Sequence, residues 1–351
     1  MPSYAPGIVT DAQAVTTPAC ARPRSMIAVS PEAEVNAHLV GALAGVATSG
    51  LWVLTSLFFT EGGRRIGSTV VNALRLVIAI ALHGLTFRLI AGAWWPQVGE
   101  AQLLYLAASG ILGLAVCDQA LFTAFVDIGP RLALLAMTTS PVWAAIFGLL
   151  GMGERLGVAD VAGITITVIG VAWVVLERTP GSVEDAQRPH YWRGMILALL
   201  AAVLQAAGML LSKKGMGHGV DGSAAVSAQG ATYIRLVFGA LGMAPILAAY
   251  AFRRRTTAHA SAMARRIGRR SIGYAFTLAG AIVGPYLGVW MSLIAVDNMP
   301  VGIAQTLCSL SPVLILPVVI VVYRESVSWR AAIGAAVAVA GSSMLVLVGS
   351  G

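Results

Sequence analysis

Long apolar runs separated by short polar stretches recur along the chain from about residue 37 onward. A helix needs about 20 apolar residues to cross the roughly 30 Å hydrocarbon core of a bilayer. A backbone inside that core must satisfy its own hydrogen bonds, which favours helices, and the strict alternation of a β-barrel strand is absent. The runs predict ten transmembrane helices, spans 1 to 10: 37–59, 68–90, 101–125, 129–151, 157–176, 193–212, 226–251, 272–295, 299–323 and 330–349.

The same residues recur in the two halves of this pattern, at a constant separation of 171 residues. The pairs are Ser140-Pro141 and Ser311-Pro312, Glu154 and Glu325, Gly163 and Gly334, and Gly170 and Gly341. A solenoid has a period of about 20–50 residues, so a period near half the chain indicates a duplicated half-molecule. We therefore predict a first repeat over 37–177, a linker over 178–192 and a second repeat over 193–349. The polar residues 1–36 lack an apolar core and are predicted to form a disordered tail.

Composition and charge narrow the class of protein. The chain is 58% hydrophobic and only 11% charged, whereas soluble domains carry roughly 25% charged residues. The net charge of +8 does not indicate a nucleic-acid partner, because the arginines lie in loops between spans, where positive charge orients membrane proteins. The arginine-rich loop 253–270 favours a cytoplasmic position for itself, which would put both termini outside.

Three charged residues lie deep inside predicted spans, away from their ends, where a charge is costly and tends to be functional. Arg75 in span 2 and Arg235 in span 7 occupy matching positions, because Asn72-Ala-Leu-Arg75 aligns with Thr232-Tyr-Ile-Arg235. They could bind an anionic substrate group or have a structural role. Asp118 in span 3 could bind a cation, pair with Arg75 or carry a proton. Its counterpart in span 8 is Gly288, so this feature occurs in one half only.

Other polar and aromatic residues inside the spans are candidates for lining a substrate cavity. Ser49 and Trp52 share one face of span 1, and Tyr286 and Trp290 are four residues apart in span 8. The predicted substrate-binding set is Ser49, Trp52, Asp118, Thr139, Gln205, Tyr286, Trp290 and Gln305. The alternatives are that the serine bonds its own backbone with Trp52 in lipid, that Tyr286 and Trp290 belong to an aromatic belt, and that Asp118 reaches the headgroup water at the end of its span.

Each Ser-Pro pair places a proline in the middle of a predicted span. Proline removes one helical hydrogen bond and kinks a helix. Pro141 in span 4 and Pro312 in span 9 are therefore predicted kinks, which would free backbone carbonyls near the middle of the membrane.

Taken together, these residues resemble the EamA branch of the drug/metabolite transporter superfamily. The resemblance depends on the buried Arg-Leu pairs of spans 2 and 7, Ser-Pro in spans 4 and 9, Gly153-Glu154 and the glycine pair that follows. It implies five plus five spans in an inverted repeat, a central cavity, and alternating access for export or exchange of metabolites, amino acids or drugs, often coupled to protons. It also implies cytoplasmic termini, opposite to the arginine distribution, so the orientation stays open.

The sequence therefore predicts an all-α integral membrane protein of the cell inner (plasma) membrane that is a secondary active transporter of small molecules, with Asp118 as the candidate for proton coupling. An alternative is an antiporter of phosphorylated or nucleotide-linked metabolites that uses Arg75 and Arg235. A membrane enzyme is a remote alternative, because the spans show no catalytic pair. No cofactor, metal or nucleic acid is expected; the partners are a small-molecule substrate and the lipid bilayer. Substrate identity, transport direction, coupling ion and oligomeric state stay open.

Overall fold

A computed structural model describes residues 31–128, 133, 136–176, 190–220, 224–257, 267–311, 313–314 and 328–348. The regular structure of this part of the chain is helical. The helices of the first half are α1 (Pro31–Ile66), α2 (Ser68–Ala91), α3 (Glu100–Gly110), α4 (Cys117–Asp127), α5 (Ser140–Met152) and α6 (Val158–Leu176). Those of the second half are α7 (Tyr191–Gly215), α8 (Ala228–Thr257), α9 (Ile267–Ala281), α10 (Val289–Asn298), α11 (Val301–Cys308) and α12 (Trp329–Val348).

Helix lengths within the described residues agree with a multi-pass membrane protein. Six helical segments are long and apolar enough to cross a bilayer: Val35–Gly63, Thr69–Ala91, Glu100–Ala124, Tyr191–Gly215, Ala228–Ala249 and Arg270–Asn298. Ser140–Met152, Val158–Val174 and Ala332–Leu347 are apolar but shorter. Helix α1 begins at Pro31, so residues 31–36, which were predicted to belong to the tail, are helical. The rest of the tail, Pro312 and Glu325 lie outside the described residues.

The four repeated glycines bring α6 and α12 into close backbone contact. A Cβ at Gly341 would lie 2.6 Å from the Thr167 nitrogen and 2.9 Å from the Gly163 oxygen. A Cβ at Gly170 would lie 2.8 Å from the Gly334 oxygen. Early residues of one helix therefore meet late residues of the other, so the two helices run antiparallel. The contact is reciprocal, as a twofold relation between equivalent segments requires.

The remaining contacts between the two halves follow the same rule. Helix α2 packs against its counterpart α8, and α5 packs against its counterpart α11. The contact of α1 with α9 and α10 is matched by that of α7 with α3 and α4. The contact of α1 with α11 is likewise matched by that of α7 with α5. Each half thus supplies one wall of a common interior.

Spans 3 and 8 each contain a π-helical segment at matching positions. Residues Ile111–Val116 join α3 to α4, and residues Ile282–Gly288 join α9 to α10. The wider π turn displaces the residues that follow it and is frequent at functional sites. Apolar periodicity gives no sign of either segment; the one local signal is Pro285, which lies inside the second segment.

Span 4 is broken where the sequence predicts a kink. Thr138 and Thr139 form a turn, and α5 begins at Ser140 with Pro141 in its first turn. A proline costs nothing in a first turn, because its missing N–H would have no helical partner there. The predicted kink of a continuous helix at Pro141 is therefore replaced by a break and a new helix start. In span 9, α11 ends at Cys308 and a similar turn at Ser309 and Leu310 precedes Ser311.

Candidate functional site

Arg75 and Asp118 form an ion pair in the interior of the helix bundle. The Arg75 guanidinium on α2 donates through Nη2 to the Asp118 carboxylate on α4. Its Nε also donates to Asn72 Oδ1 at 2.8 Å. The Arg75 side chain is buried, whereas 18% of the Asp118 side chain is exposed. Of the roles that the sequence left open for Asp118, pairing with Arg75 is the one the structure brings about.

Two aromatic rings complete the surroundings of Arg75. The guanidinium carbon lies 5.6 Å from the ring centroid of Phe59 and 5.6 Å from that of Phe122. A cation over an aromatic face is stabilised by the ring quadrupole. Arg75 is therefore paired, hydrogen-bonded and flanked by rings, so its charge is fully accommodated by the protein.

Arg235, the counterpart of Arg75, is in a different situation. Its side chain on α8 is 4% exposed, and its Nε and Nη1 have no hydrogen-bond partner within the described part of the chain. The guanidinium lies over the π-helical segment of span 3, where a Cβ at Gly113 would be 3.3 Å from Nη2. It is also within electrostatic range of Asp118. Both arginines therefore interact electrostatically with the same carboxylate.

Gln205 on α7 lies near Cys117, the residue that precedes Asp118. The Cys117 thiol, next to Asp118 in the chain, donates to the Ala201 carbonyl at 3.2 Å and makes a weak contact of 3.9 Å to Gln205 Oε1. The charged cluster therefore consists of Arg75, Asp118 and Arg235, contributed by α2, α4 and α8, and Gln205 approaches it through Cys117.

A second cluster is aromatic and lies further along α2. The Nε2–H of His83 donates to the Tyr286 carbonyl at 3.2 Å, and the rings of His83 and Trp290 are 5.9 Å apart. The Tyr286 hydroxyl is 2.8 Å from Thr86 Oγ1. Tyr286 and Trp290 are half-buried, with ring centroids 6.2 Å apart. The sequence predicted that these two rings share a side, and helix α2 links their cluster to the charged one.

Trp52 packs on the π-helical segment of span 8. A Cβ at Gly288 would lie 3.1 Å from the indole Nε1 of Trp52, so this glycine makes room for the ring. Gly288 is the residue that stands opposite Asp118 in the repeat. The position that carries a carboxylate in one half therefore receives a tryptophan in the other.

Ser49 of span 1 makes hydrogen bonds to the broken part of span 9. Its Oγ–H donates to the Leu307 carbonyl at 2.7 Å, and the same oxygen accepts from the Leu310 N–H at 3.1 Å. The Ser311 hydroxyl donates to the Ser49 carbonyl at 3.0 Å. The turn itself has only a long bond of 3.4 Å from the Leu310 N–H to the Leu307 carbonyl, so the Ser49 bonds reinforce the end of α11 and hold span 1 against the break.

Thr139 and Gln305 lie near the two helix breaks. Thr139 Oγ1 donates to the Ala136 carbonyl at 2.7 Å within its own turn. Gln305 is buried, and its Oε1 has no hydrogen-bond partner in the described ranges. Between the breaks is a small cavity of about 10 Å³, which has room for about one water molecule. It is lined by Thr138, Pro141, Thr167, Val168, Val171, Thr306 and Ser309.

Gly153-Glu154 forms an ionic cluster at one end of the bundle. Gly153 ends α5 in the left-handed region, with φ of 67°, and this turn brings the Glu154 carboxylate back against Gly148. Glu154 Oε1 accepts from Lys213 Nζ at 2.6 Å, and Oε2 accepts from the Val301 N–H at 2.9 Å. The carboxylate thus caps the start of α11 and ties it to the end of α7, partners that the sequence did not reveal.

Asp127 and Arg193 form an ion pair at the opposite end of the bundle. Arg193 donates to both carboxylate oxygens of Asp127, at 2.8 Å and 2.7 Å. This hydrogen bonding holds the pKa of Asp127 below its ordinary value. The pair joins the end of α4 to the start of α7, so each end of the bundle has an ionic link between the two halves.

Comparison with known proteins assigns the fold and the family. No protein of curated function matches the chain. A solved structure described only as "Crystal structure of protein" matches with a TM-score of 0.66 at 22% identity, over 88% of this chain and 96% of that one; at this identity the likeness shows the fold alone. The model of the EamA-like transporter family matches residues 39–176 and again residues 192–347. This multi-pass membrane protein therefore belongs to the EamA-like transporter family, whose members are drug/metabolite-type membrane transporters.

Proposed function

We propose that the protein is a secondary active transporter that exports or exchanges small metabolites, amino acids or drug-like compounds across the cell inner membrane. The observation that carries this proposal is the charged group of Arg75, Asp118 and Arg235 in the interior of a helical bundle of this family. Charged residues at such a depth are costly and are typical of substrate and ion pathways.

The proposed mechanism is alternating access between two inverted five-span repeats. The repeats are those predicted from the sequence, 37–177 and 193–349, joined by the linker 178–192. The antiparallel, reciprocal contact of α6 with α12 supports this arrangement. The ionic links Glu154–Lys213 and Asp127–Arg193 lie at opposite ends of the bundle and both join one repeat to the other. Opening one link while the other stays closed would expose the interior to one side at a time.

Proton coupling through Asp118 is the finer part of this proposal. The carboxylate is partly exposed and bonded to Arg75, so protonation would release the arginine and change the charge of the interior. The Asp118→Asn variant keeps the shape but cannot lose a proton. We expect it to transport without dependence on an imposed pH gradient; dependence equal to that of the wild type would remove Asp118 from this role.

The antiporter of phosphorylated metabolites has less support than the general transporter. That alternative uses Arg75 and Arg235 together as an anion clamp. Arg75 is already bonded to Asp118 and Asn72, so a clamp of both arginines would first have to break the ion pair.

The experiment that tests the function has two stages. Metabolites are compared between cells that produce the protein and cells that lack it, and each compound that changes is then measured for counterflow in proteoliposomes. We expect at least one such compound to accumulate inside loaded vesicles that contain the protein and not in empty vesicles. Compounds that change in cells yet show no counterflow at either pH 6 or pH 8 would contradict the proposal.

A further inference from the structure

The two matching arginines have different environments. In the first half, Arg75 bonds to Asn72 and Asp118. In the second half, the counterparts of those two partners are Thr232 and Gly288. Thr232 donates its hydroxyl to the Ala228 carbonyl of its own helix, and Gly288 has no side chain. The second half has therefore kept the buried arginine and lacks the groups that neutralise it in the first.

One positive charge is left over in the interior. The carboxylate of Asp118 is bonded to Arg75, and Nε and Nη1 of Arg235 make no hydrogen bond to any described residue. A buried charge without a partner costs several times more than a paired one, and buried polar groups are nearly always hydrogen-bonded. A cation kept under these conditions needs an anion, and the described residues do not supply one beyond the Asp118 carboxylate that Arg75 already binds.

Glycine backbone, without a side chain, borders the guanidinium. Gly113 of span 3 and Gly208 of α7 face each other here, and a Cβ at Gly208 would lie 3.3 Å from the Gly113 Cα. Of the two, Gly113 lies next to Arg235 Nη2, so no side chain separates this end of the guanidinium from the backbone of span 3. A planar carboxylate is a good match for a guanidinium, which donates through parallel N–H groups.

We infer that Arg235 is the anion-binding group of this transporter and that its substrate is an organic monoanion, most simply a carboxylate. The charge of the site sets the valence of the anion, because with Asp118 ionised the group of Arg75, Arg235 and Asp118 has a single net positive charge. The identification of the ligand as cargo rests on the proposed function; the anion site itself does not.

The test measures binding before transport. Purified protein in detergent is screened by thermal unfolding with a panel of carboxylic acids, each matched to its primary amide, phenylacetate with phenylacetamide being one such pair. We expect some acids to raise the unfolding temperature of the wild type and their amides not to. The Arg235→Gln variant should weaken the binding of those acids by at least about tenfold, the value of one charge-assisted hydrogen bond. Arg88→Gln, which removes an exposed arginine at the end of α2, should bind as the wild type does.

Two further variants separate binding from folding. Arg235→Lys keeps the charge and should retain part of the affinity if the Gln variant is poorly folded. Asp118→Asn removes the competing carboxylate and also frees Arg75, so acids should bind it more tightly than the wild type; the gain supports Arg235 only if it is lost in the Asp118→Asn/Arg235→Gln double variant. A panel in which no acid stabilises the wild type more than its amide would overturn the inference, as would unchanged acid binding in Arg235→Gln.

Counterflow in proteoliposomes then distinguishes the two proposals. If acids bind through Arg235 but none is carried, the anion site stands and the transport function falls. If neutral amides are carried as well as acids and binding is independent of Arg235, transport stands and the anion inference falls.

Discussion

The Glu154–Lys213 pair offers a quantitative test of how the two repeats are held together. Only 8% of the Lys213 side chain and 13% of the Glu154 side chain are exposed. Lys213 Nζ donates both to Glu154, at 2.6 Å, and to the Met299 carbonyl, at 2.7 Å. Removing one partner of a buried pair leaves the other charge without compensation and costs about 3–5 kcal/mol. We expect Glu154→Gln and Lys213→Met each to lower the free energy of unfolding by about that amount.

The double variant at Glu154 and Lys213 tests whether the two residues act as one pair. Replacing both members of a buried pair by uncharged residues is often neutral or stabilising. The free energy of unfolding of the Glu154→Gln/Lys213→Met double variant should therefore be higher than that of the less stable single variant. Unfolding in mixed detergent micelles would give the three values and their coupling energy. Simple addition of the two single effects would refute the view that these residues act as one buried pair.

The Asp127–Arg193 link at the other end is the matched control. The Arg193 side chain is 55% exposed and that of Asp127 is 4% exposed, so this pair keeps contact with solvent on one side and lies between an exposed pair, worth about 0–1 kcal/mol, and a fully buried one. Arg193→Gln should therefore cost less than either change at the Glu154 end. A loss as large as that of Lys213→Met would mean that burial does not decide the strength of these links.

Three other predictions follow from single contacts. The hydrogen bond from Arg193 lowers the pKa of Asp127, so the stability that Asp127 contributes is complete at neutral pH and is lost as the pH falls below about 4. Arg193→Gln should therefore flatten the acid side of a plot of unfolding free energy against pH, and an unchanged plot would contradict this assignment. Gly341→Ala places a Cβ 2.6 Å from the Thr167 nitrogen and should lower the unfolding temperature. The control Gly50→Ala, whose Cβ would meet nothing within 4 Å, should stabilise α1 by about 0.5–1 kcal/mol. Equal effects of the two substitutions would show that α6 and α12 are not in backbone contact. Ser49→Ala removes the hydroxyl that bonds both the Leu307 carbonyl and the Leu310 N–H and should cost about 0.5–1.5 kcal/mol for each lost bond. Thr165→Ala, whose exposed hydroxyl bonds the Val161 carbonyl of its own helix, should change stability by less than about 0.5 kcal/mol; a Ser49→Ala loss no larger than that of Thr165→Ala in denaturant would contradict a hydroxyl bridge between spans 1 and 9.

The sequence alone determined the class of the protein and much of its internal symmetry. Run length is a direct consequence of bilayer thickness, so a helical membrane protein could be predicted without any contact. The repeat at 171 residues located the glycines that meet between α6 and α12. The two buried arginines could also be located, because a charged residue within an apolar run can be recognised from the sequence without any knowledge of contacts.

Only the tertiary structure decided which partner each of these residues has. Arg75 and Arg235 match in sequence, yet one is neutralised by Asp118 and the other is not, because that depends on which faces of α2, α4 and α8 lie against each other. The π-helical segments and the break before Pro141 were equally hidden, since each changes the phase of a helix without changing its apolar composition. Helical periodicity gives the face of a residue on its own helix; the neighbour across that face is a property of packing between helices that are far apart in the chain.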